Sequence, residues 1–313
     1  MRVVVTGAAG FVGRAVVQRL VEAGHDVATL TRRPWPGHPA NVRSVLADVL
    51  DLGAVVRAID ECEPDGVCHL AALTRVRDSF REPTRYFAVN VTGTLHVVTA
   101  LAELAARTGR VPRLVFASTA AVYGVAGDGP IGEDAPPLPV TPYGATKLAA
   151  DQAIGFQAAT GALAAVSLRC FNVAGATQQT VDGDLTRVIP KALAVAAGRE
   201  PYLVMNGDGS SIRDYLHVAD LADAYAAALD AAEPGRHAIY NTGSSLPVAL
   251  RDVVDAVQRI TGRELAIRHN PPQNEPRTLL ADTSRIRREL AWEPRRSRLH
   301  TIVGDAWAAV APR

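Results

Sequence analysis

The chain opens with the stretch Val3-Val4-Val5-Thr6-Gly7-Ala8-Ala9-Gly10-Phe11-Val12-Gly13, which predicts the architecture of its first half. Its β-branched run predicts a buried strand, and the apolar spacing after the glycines predicts a helix. Glycine permits the tight turn between the two and a close approach of the backbone to a ligand. The helix start adds free N–H groups and the positive end of a dipole, which suit a pyrophosphate. The turn therefore predicts a dinucleotide site, and the alternative is a turn with a structural role only.

The glycines of this turn follow the spacing GxxGxxG, which differs from the more common GxGxxG of dinucleotide-binding proteins. A glycine turn alone is weak support, so its position at the first strand–helix junction carries the prediction. The residues expected to contact the cofactor here are Gly7, Gly10, Phe11, Val12 and Gly13.

The composition argues against several classes of protein. Of 313 residues, 48% are hydrophobic, which is enough for a large core, and a net charge of +1 without a long basic run argues against nucleic acid. Cys62, Cys68 and Cys170 are odd in number and lack metal-ligand spacing, so we expect no metal and a reduced, cytoplasmic location. No secretory signal pattern or long uninterrupted apolar run is present, so no membrane span or membrane partner is expected.

Strands and helices alternate from residue 1 to about residue 170. This alternation predicts an α/β protein with a Rossmann-like, doubly wound parallel sheet and helices on both faces. The glycine- and proline-rich Gly124–Pro142 segment predicts a loop at the border of the site. The predicted strands are Arg2–Thr6, Asp26–Thr31, Val42–Leu46, Gly66–Leu70, Leu114–Ser118 and Ala164–Arg169, and the longest helical stripes are Val12–Ala23 and Val89–Thr108.

After residue 170 the alternation loosens. We therefore expect a dinucleotide-binding domain over residues 1–170 and a smaller α/β substrate domain over residues 171–313, with some chain crossing back to the first. Short strands are predicted near Tyr202–Met205 and His237–Asn241. The predicted helices are Thr186–Ala197, Val218–Ala232, Leu250–Thr261, Ser284–Leu290 and Leu299–Val310.

The second predicted strand ends in Leu30-Thr31-Arg32-Arg33, where dinucleotide-binding proteins usually carry an acidic residue for the adenosine ribose. Two guanidiniums can instead pair with a 2′-phosphate, so Arg32 and Arg33 favour NADP. The alternative is a pair of solvated loop residues in an NAD site. Asp48 and Val49, just after the third strand, are predicted either near the adenine or as an ordinary cap of the next helix.

The stretch Thr141-Pro142-Tyr143-Gly144-Ala145-Thr146-Lys147 predicts a helix start, with Thr141 as the cap and Pro142 in the first turn. Tyr143 and Lys147 then share one helical face. A tyrosine alone is a poor base at neutral pH, but a neighbouring ammonium and a positive nicotinamide favour its phenolate. The pair therefore predicts proton transfer at a substrate hydroxyl, and the alternative is an amphipathic surface pair.

The fifth predicted strand ends in Phe116-Ala117-Ser118-Thr119, at the carboxyl edge of the sheet. Either hydroxyl, of Thr119 or of Ser118, can hydrogen-bond the substrate oxygen on which Tyr143 acts. The alternative is a strand-end hydroxyl that satisfies the backbone.

Further motifs complete an ordered set along nearly the whole chain. They are Gly7-x-x-Gly10-x-x-Gly13, His69-Leu70-Ala71-Ala72, Asn90-Val91-Thr92-Gly93-Thr94, Ser118-Thr119-Ala120-Ala121-Val122-Tyr123-Gly124, Tyr143-x-x-x-Lys147, Phe171-Asn172, Arg213-Asp214-Tyr215-Leu216-His217-Val218-x-Asp220 and Ala281-Asp282. With them the chain resembles the extended short-chain dehydrogenase/reductase family, in particular its UDP-glucose 4-epimerase-like sugar-nucleotide enzymes.

The resemblance implies a catalytic triad of Thr119, Tyr143 and Lys147 and a nucleoside-diphosphate sugar as substrate. It also implies that the diphosphate contacts Asn172 and Arg213, whose guanidinium suits a diphosphate. For Arg213 the alternative is a salt bridge with Asp214 or Asp220. Further cofactor contacts are expected at Leu70, Ala71, Ala72, Asn90, Ser118, Tyr143 and Lys147, and further substrate contacts at Thr74, Thr119, Tyr143, Arg187, Val188, Tyr202, Met205 and Arg277.

Relatives in this family commonly form homodimers through two helices of each subunit, which correspond to Val89–Thr108 and the helix of Tyr143. Small residues on both would permit close packing, or would pack against the chain's own sheet. They are Ala100, Ala102, Ala105, Ala149, Ala150 and Ala153.

Several positions depart from the epimerase pattern. Cys170 stands where tyrosine is common, and Thr186-Arg187-Val188 replaces a stretch that contains Asn-Leu. The usual Arg-Pro-Gly-Asp segment reads Pro272-Gln273-Asn274-Glu275, although Arg277 lies close enough to substitute for its arginine. Thr119 is followed by Ala120-Ala121 and not by an acid for water elimination, which argues against 4,6-dehydration.

The sequence therefore predicts a nucleoside-diphosphate-sugar 4-epimerase that works through a transient 4-keto sugar, by hydride transfer to and from bound nicotinamide. The alternative is an NADPH-dependent nucleoside-diphosphate-4-keto-sugar reductase, which the same triad serves and which Arg32 and Arg33 favour. A non-catalytic binder that keeps only the fold is a third possibility. The epimerase resemblance implies NAD, whereas the arginine pair favours NADP.

Overall fold

A computed structural model describes residues 1–125, 127, 129–178, 180–272 and 276–311 of the chain. The Gln273-Asn274-Glu275 part of the departing segment lies outside the described residues. Up to residue 170 the strands are β1 (Arg2–Thr6), β2 (Asp26–Thr31), β3 (Arg43–Leu46), β4 (Gly66–His69), β5 (Arg113–Thr119) and β6 (Ala164–Cys170), and the helices are α1 (Phe11–Glu22), α2 (Leu52–Cys62), α3 (Val76–Ser79), α4 (Pro83–Phe87), α5 (Gly93–Thr108) and α6 (Pro142–Gln157).

Beyond residue 170 the elements are shorter and more varied. The strands are β7 (Asn172–Ala174), β8 (Ala176–Thr177), β9 (Thr180–Val181), β10 (Leu203–Asn206), β11 (Ile212–His217), β12 (His237–Thr242), β13 (Pro247–Ala249), β14 (Ile267–Asn270) and β15 (Thr278–Leu279), and the helices are α7 (Val188–Ala196), α8 (Val218–Ala231), α9 (Leu250–Thr261), α10 (Ser284–Leu290) and α11 (Leu299–Val310).

Seven strands form the main sheet, in the order β12-β6-β5-β4-β1-β2-β3. Strand β1 pairs in parallel with β2 and with β4, and β5 and β6 continue the parallel series. The strand order reverses at β1, and ligands of open α/β sheets bind at the carboxyl end of the strands beside such a reversal. The glycine turn follows β1 at that edge. The predicted doubly wound parallel sheet is therefore confirmed.

One face of the main sheet is covered by α2, α5 and α6. Their apolar side chains form a single buried cluster with strand residues such as Val4, Val67 and Phe116. Burial of apolar area in this cluster is the main force that fixes the helices on the sheet.

The opposite face is covered by α1 and α8. Gly66 and Val67 are consecutive on β4 and therefore point to opposite faces of the sheet. A Cβ atom on Gly66 would meet the Leu229 side chain of α8 at 2.7 Å. Arg19 of α1 pairs with Asp223 of α8 at 2.5 Å, which joins the two helices on this face. Because both faces are buried, the strands read as nearly continuous apolar runs.

The chain divides into two compact units whose segments alternate along the sequence. The first contains Met1–Gly124, Ala135–Cys170 and Ala222–Tyr240, and the second contains Val125–Asp134, Phe171–Leu221 and Asn241–Arg313. The sequence predicts a return of the chain to the first domain without locating it. The structure locates the return in most of α8 and in β12, which joins the main sheet beside β6.

The segment Pro83–Thr108 is one helical run in which a π-helical turn at Ala88–Thr92 joins α4 to α5. Its length and composition would suit a membrane span, whereas the sequence analysis expects none. In the structure Val97, Leu101 and Leu104 are buried in the cluster between α2 and the sheet. The run therefore packs as a core helix.

The second unit holds small sheets and its own core. Strand β11 pairs with β13, β15 and β7, and β10 pairs with β14. Helices α7, α9 and α11 bury residues such as Leu193, Val257 and Ile302. In the part that the structure describes, the predicted Gly124–Pro142 loop contains no helix or strand up to Thr141, apart from a bridge of Ile131 with Ala281, and its last residue, Pro142, begins α6.

Gly124 begins that loop in a backbone conformation that other residues rarely adopt, with φ 65° and ψ −127°. A Cβ atom there would lie 1.9 Å from the Leu138 carbonyl oxygen. We expect Gly124→Ala to lower the free energy of unfolding by about 2 kcal/mol or more, because strain and a backbone clash add. Urea unfolding measures this change.

The matched control is Gly109→Ala. Gly109 also has a positive φ of 69°, but a Cβ atom there would meet nothing within 4 Å. This variant should lose only about 1 kcal/mol, from the left-handed conformation alone. Equal losses in the two variants would show that the contact with Leu138 is unimportant.

Candidate active site

The turn after β1 has no room for side chains. Gly7 has a φ of +68°, and a Cβ atom on it would lie 2.7 Å from the Ala71 backbone nitrogen. A Cβ atom on Gly13 would lie 2.3 Å from the Gly7 carbonyl oxygen, which already accepts a hydrogen bond from Gly10 N at 3.0 Å. Helix α1 starts at Phe11, and its N-cap residue Gly10 provides no side-chain hydrogen bond. The positive end of its dipole is thus left to a ligand, which fits the pyrophosphate of a dinucleotide.

A buried polar network supports this turn from β4 and α5. The Thr6 hydroxyl oxygen accepts hydrogen bonds from Leu70 N and Ala71 N, each at 3.1 Å. It also lies 2.7 Å from Nδ1 of His69, whose Nε2 lies 3.0 Å from the Thr94 hydroxyl. Burial lowers the pKa of His69 to about 3, so the imidazole stays neutral. The network positions the predicted cofactor-contact residues Leu70 and Ala71, which Ala72 follows. These roles of Thr6 and His69 were not predicted from the sequence.

Asn90 lies in the π-helical turn and is fully buried. Its side-chain oxygen accepts from Leu73 N at 2.8 Å, and its amide donates to Leu73 O and to the Thr146 hydroxyl of α6. All of these bonds join protein groups, so Asn90 fixes the chain after β4 against α6. Thr74, the next residue after Leu73, is exposed.

The end of β2 carries no acidic residue. The Thr31 hydroxyl donates to the Arg33 carbonyl at 2.9 Å, and both Arg32 and Arg33 are exposed. In the part of the chain that the structure describes, neither guanidinium pairs with a carboxylate. Nearby, the Arg14 guanidinium stacks over the buried Trp35 ring at 5.2 Å. The carboxyl end of β2 is therefore cationic.

Asp48 and Val49 have separate local roles. The Asp48 carboxylate accepts from Leu50 N at 3.0 Å, while α2 is capped by Asp51 through Ala54 N at 2.9 Å. The alternative that Asp48 is the cap of α2 is therefore wrong. The Val49 carbonyl accepts from His96 of α5 at 2.8 Å, and its side chain is buried.

Tyr143 and Lys147 occupy one face of the first turns of α6. Thr141 caps the helix by accepting from Gly144 N at 3.0 Å, and Pro142 occupies the first turn, as predicted. Tyr143 is 9% exposed and meets the Tyr86 ring edge-on. Lys147 is 2% exposed, and its ammonium lies 4.6 Å from the centre of the Phe116 ring.

The surroundings of Lys147 shift the pKa of its ammonium group. Burial lowers its pKa to about 8, and the smaller opposing effects come from Asp151 and Cys170. An ammonium with this pKa is present at neutral pH and can still release a proton slightly above it. Such a group can hold a phenolate or exchange a proton with it, which an arginine cannot do.

The two hydroxyls at the end of β5 differ in their bonding. The Ser118 hydroxyl donates to Asp151 at 2.9 Å and is therefore already used. The Thr119 oxygen accepts from Ala121 N at 3.2 Å, a bond that leaves its own proton for another partner. The structure thus favours Thr119 over Ser118 as the residue that could contact a substrate oxygen.

A buried ion pair joins α6 to β6. Arg169 at the end of β6 contacts Asp151 at 3.4 Å and donates to the Tyr123 hydroxyl at 3.1 Å. Asp151 follows Lys147 by one helical turn, so positive, negative and positive charges alternate inside the first unit. The sequence analysis missed Asp151 and Arg169; an acid four residues after the lysine is the signal that could have found the first of them.

The second unit brings Asn172 and Arg213 together through paired strands. Asn172 donates to the Asp214 carbonyl at 3.0 Å, and β7 runs beside β11. Arg213 donates to the carbonyls of Ile212 and Pro276, each at 2.9 Å. The Asp214 carboxylate instead accepts hydrogen bonds of 2.6 to 3.1 Å from Ser244, Ser245 and Ala281. The alternative of a salt bridge between Arg213 and Asp214 is thus not what the structure shows.

The other predicted substrate contacts of this unit lie in varied surroundings. Arg187 donates to Asp182 at 2.9 Å and precedes the half-buried Val188 at the start of α7. Tyr202 is partly exposed, whereas Met205 is buried in the core of the unit. Arg277 is exposed. The roles of these side chains toward a substrate stay predictions.

Comparisons with known proteins agree with this geometry. The sequence model of the NAD dependent epimerase/dehydratase family matches residues 3–243. The UDP-glucose 4-epimerase of Corynebacterium glutamicum is 40% identical over 98% of this chain and 95% of that protein. The UDP-glucose 4-epimerase of Streptomyces lividans is 39% identical over 97% of this chain and 94% of that protein.

Solved structures give the same result. The UDP-glucose 4-epimerase from Brucella ovis in complex with NAD has a TM-score of 0.90 and 31% identity, over 98% of each chain. The enzyme from Stenotrophomonas maltophila, with bound NAD and formylated UDP-arabinopyranose, has a TM-score of 0.89 and 30% identity, over 98% of this chain and 97% of that one. This chain belongs to the NAD-dependent epimerase/dehydratase family.

The lowered pKa of Lys147 predicts a pH-dependent stability. The pKa of Lys147 is about 8 in the folded state and 10.5 in the unfolded state. Between these two pH values the unfolded state binds more protons than the folded state, so the free energy of unfolding rises with pH. We expect Lys147→Met to raise the free energy of unfolding at pH 7 by about 2 to 3 kcal/mol. This gain should vanish as pH rises from about 8 to 10.5, in urea unfolding measured at each pH.

Lys191→Met is the control. Lys191 is half-buried and paired with Glu200, so its replacement should give no gain at pH 7. A Lys147→Met variant whose difference from wild type does not change with pH would contradict the prediction.

Proposed function

We propose that this chain is a nucleoside-diphosphate-sugar 4-epimerase that interconverts UDP-glucose and its 4-epimer. The observation that carries the proposal is the arrangement of Thr119, Tyr143 and Lys147 at the carboxyl edge of a parallel sheet, beside a glycine turn that fits a dinucleotide. UDP-glucose 4-epimerases that align along nearly the whole chain support it.

Tyr143 is the proposed acid–base group of the reaction. Its phenolate removes the proton of the sugar 4-hydroxyl, and the Lys147 ammonium one turn away stabilises the negative charge. Thr119 donates its free hydroxyl proton to the same sugar oxygen. The bound nicotinamide supplies the chemistry of hydride removal and return at C4. Rotation of the 4-keto sugar between the two transfers exposes its other face, and Tyr143 then returns the proton.

The second unit is proposed to hold the nucleoside diphosphate. The Arg213 guanidinium suits a diphosphate, and the Asn172 amide adds a neutral donor beside it. Arg187 is held by Asp182 and has to exchange this partner to reach a phosphate. Arg213 and Asn172 are therefore the stronger candidates.

NAD is the proposed resident cofactor, because the solved relatives from Brucella ovis and Stenotrophomonas maltophila contain NAD. The NADP preference favoured by Arg32 and Arg33 finds no support in these relatives. The two exposed guanidiniums nevertheless give the site an affinity for a 2′-phosphate. The same observation keeps the 4-keto-sugar reductase as the second candidate function.

We expect the wild-type protein to bind both NADP and NAD. Arg32→Ala should weaken NADP binding about tenfold, because one charged contact with the 2′-phosphate is lost. The affinity for NAD should change less than about twofold. Calorimetric titration with both cofactors measures this. Arg57→Ala, an exposed arginine of α2, is the control and should change neither affinity. If Arg32→Ala changed the affinities for NAD and NADP equally, Arg32 would not contact the 2′-phosphate.

We expect Tyr143→Phe to lower the epimerase kcat by about 10³-fold or more, because only the oxygen that moves the proton is removed. Cofactor affinity should stay within about twofold. The assay is conversion of UDP-glucose without added cofactor or reductant. Near-normal turnover of the variant would contradict the role of Tyr143. A wild type that turns over only 4-keto sugars while consuming NADPH would favour the reductase.

A homodimer through α5 and α6 is also proposed. Ala100 and Ala150 are buried in the chain's own core, but Ala102, Ala105, Ala149 and Ala153 are only half-buried. On the same helices Phe156 is 78% exposed and Leu95 is 40% exposed. Small residues beside exposed apolar ones suit a close helix–helix interface between subunits.

A further inference from the structure

Asp151 is a buried carboxylate on the same face of α6 as Lys147. The two residues are four apart on this helix, and each of them is 2% exposed. Residues with this spacing are neighbours on one helix face, with Cβ atoms about 5 to 6 Å apart. Two ionic side chains at such a separation inside a protein affect each other more strongly than they would in water.

Contacts with β5 place both side chains over the same face of the main sheet. The Lys147 ammonium lies 4.6 Å from the centre of the Phe116 ring, and Asp151 accepts from the Ser118 hydroxyl at 2.9 Å. Phe116 and Ser118 are two residues apart on β5, so their side chains point to the same face. Thr119, the next residue along β5, is proposed to contact the substrate. The Asp151 carboxylate is thus fixed against the strand that carries Thr119.

Other charged and titratable groups surround this pair. Arg169 of β6 contacts Asp151 at 3.4 Å. The remaining groups lie on four elements of the first unit, and burial lowers the pKa of both histidines among them, which are therefore neutral at pH 7. They are Tyr143 on α6, Cys170 on β6, His69 on β4 and His237 on β12. In the part of the chain that the structure describes, Asp151 is the one carboxylate that acts on the Lys147 ammonium.

Burial and the Asp151 charge act on Lys147 in opposite directions. Burial lowers the pKa of the ammonium to about 8, and the Asp151 charge is the larger of the two effects that oppose it. Ser118 and Arg169 both contact the same carboxylate oxygen, Oδ2. The other oxygen, Oδ1, is buried and accepts no hydrogen bond from any residue that the structure describes. The negative charge at Oδ1 is therefore not neutralised by a hydrogen bond.

We propose that Asp151 is a positioning residue for the proton transfer at Tyr143, and that it acts through Lys147 by keeping the ammonium charged. The inference rests on the proposed function, in which this ammonium stabilises the Tyr143 phenolate. Ser118 and Arg169 support the carboxylate, since they hold it in place. Without the Asp151 charge, Lys147 becomes neutral at a lower pH, and the phenolate then loses its positive neighbour.

The test measures the titration of Lys147 directly. The chain has only two lysines, Lys147 and Lys191, so protein with isotope-labelled lysine gives two side-chain NMR signals, which Lys191→Met assigns. Asp151→Asn should lower the titration midpoint of Lys147 by about one pH unit, because a nearby negative charge is removed. Lys191, which is paired with Glu200, is the control within the same sample and should keep its midpoint.

Two further variants separate the charge from the structure. Asp151→Glu keeps a carboxylate and should keep the Lys147 midpoint closer to wild type than Asp151→Asn does. Asp151→Asn combined with Arg169→Gln leaves no guanidinium buried without its carboxylate, and it should still lower the midpoint. A variant that unfolds would instead raise the midpoint toward the ordinary lysine value of 10.5, so a fall cannot come from unfolding.

The second readout is the pH profile of kcat for UDP-glucose. Wild-type kcat should decline as pH rises through about 8, where Lys147 loses its proton. In Asp151→Asn this decline should move to lower pH together with the Lys147 midpoint, whereas a merely structural role would lower kcat equally at every pH.

A Lys147 midpoint that is unchanged or higher in folded Asp151→Asn protein would overturn the inference, and so would a pH profile that does not move. If the midpoint falls as expected but wild-type protein does not convert UDP-glucose, the proposed function fails while the effect of Asp151 on Lys147 stands.

Discussion

The absence of space around the glycine turn is the constraint on which the rest of the site depends. Gly7 lies against the backbone at Ala71, and Gly13 lies against Gly7, so β1, α1 and the end of β4 meet without intervening side chains. This contact brings the uncapped start of α1 to the edge where the strand order reverses. The Thr6 hydroxyl also accepts hydrogen bonds from Leu70 N and Ala71 N, which holds the chain after β4 against β1. A substitution that adds one carbon atom at Gly7 or Gly13 would therefore move three elements together.

Much of this arrangement could be predicted from the sequence, because its causes are local. The strands β1 to β6 were predicted within one residue at each end, since apolar runs bounded by glycine, proline and polar residues determine them. The start of α6 followed from Thr141 and Pro142, and the alignment of Tyr143 with Lys147 from helical periodicity. Strand β1 lies between β2 and β4, so the strand order runs in opposite directions on its two sides.

The remaining features depend on contacts between residues far apart in sequence. Strands β7, β13 and β15 have two or three residues each, too few for a pattern, and they exist because they pair with β11. The return of α8 and β12 to the main sheet depends on the packing of Leu229 against Gly66. The ion pair of Asp151 with Arg169 appears only when strands and helices are assembled. No local signal distinguishes these residues from ordinary core or surface positions.

The basic residue at position 147 is a lysine, whereas nearly all other basic residues of the chain are arginines. Lysine occurs at only two positions among 33 basic residues, Lys147 and Lys191, and all others are arginine. An arginine at position 147 would keep its charge under all conditions, whereas burial brings the pKa of the Lys147 ammonium to about 8. Arginine keeps a permanent charge in the buried pair of Arg169 with Asp151 and at the diphosphate candidate Arg213. A lysine at position 147 therefore suits the proton transfer proposed for Tyr143, and burial of this lysine costs folding stability.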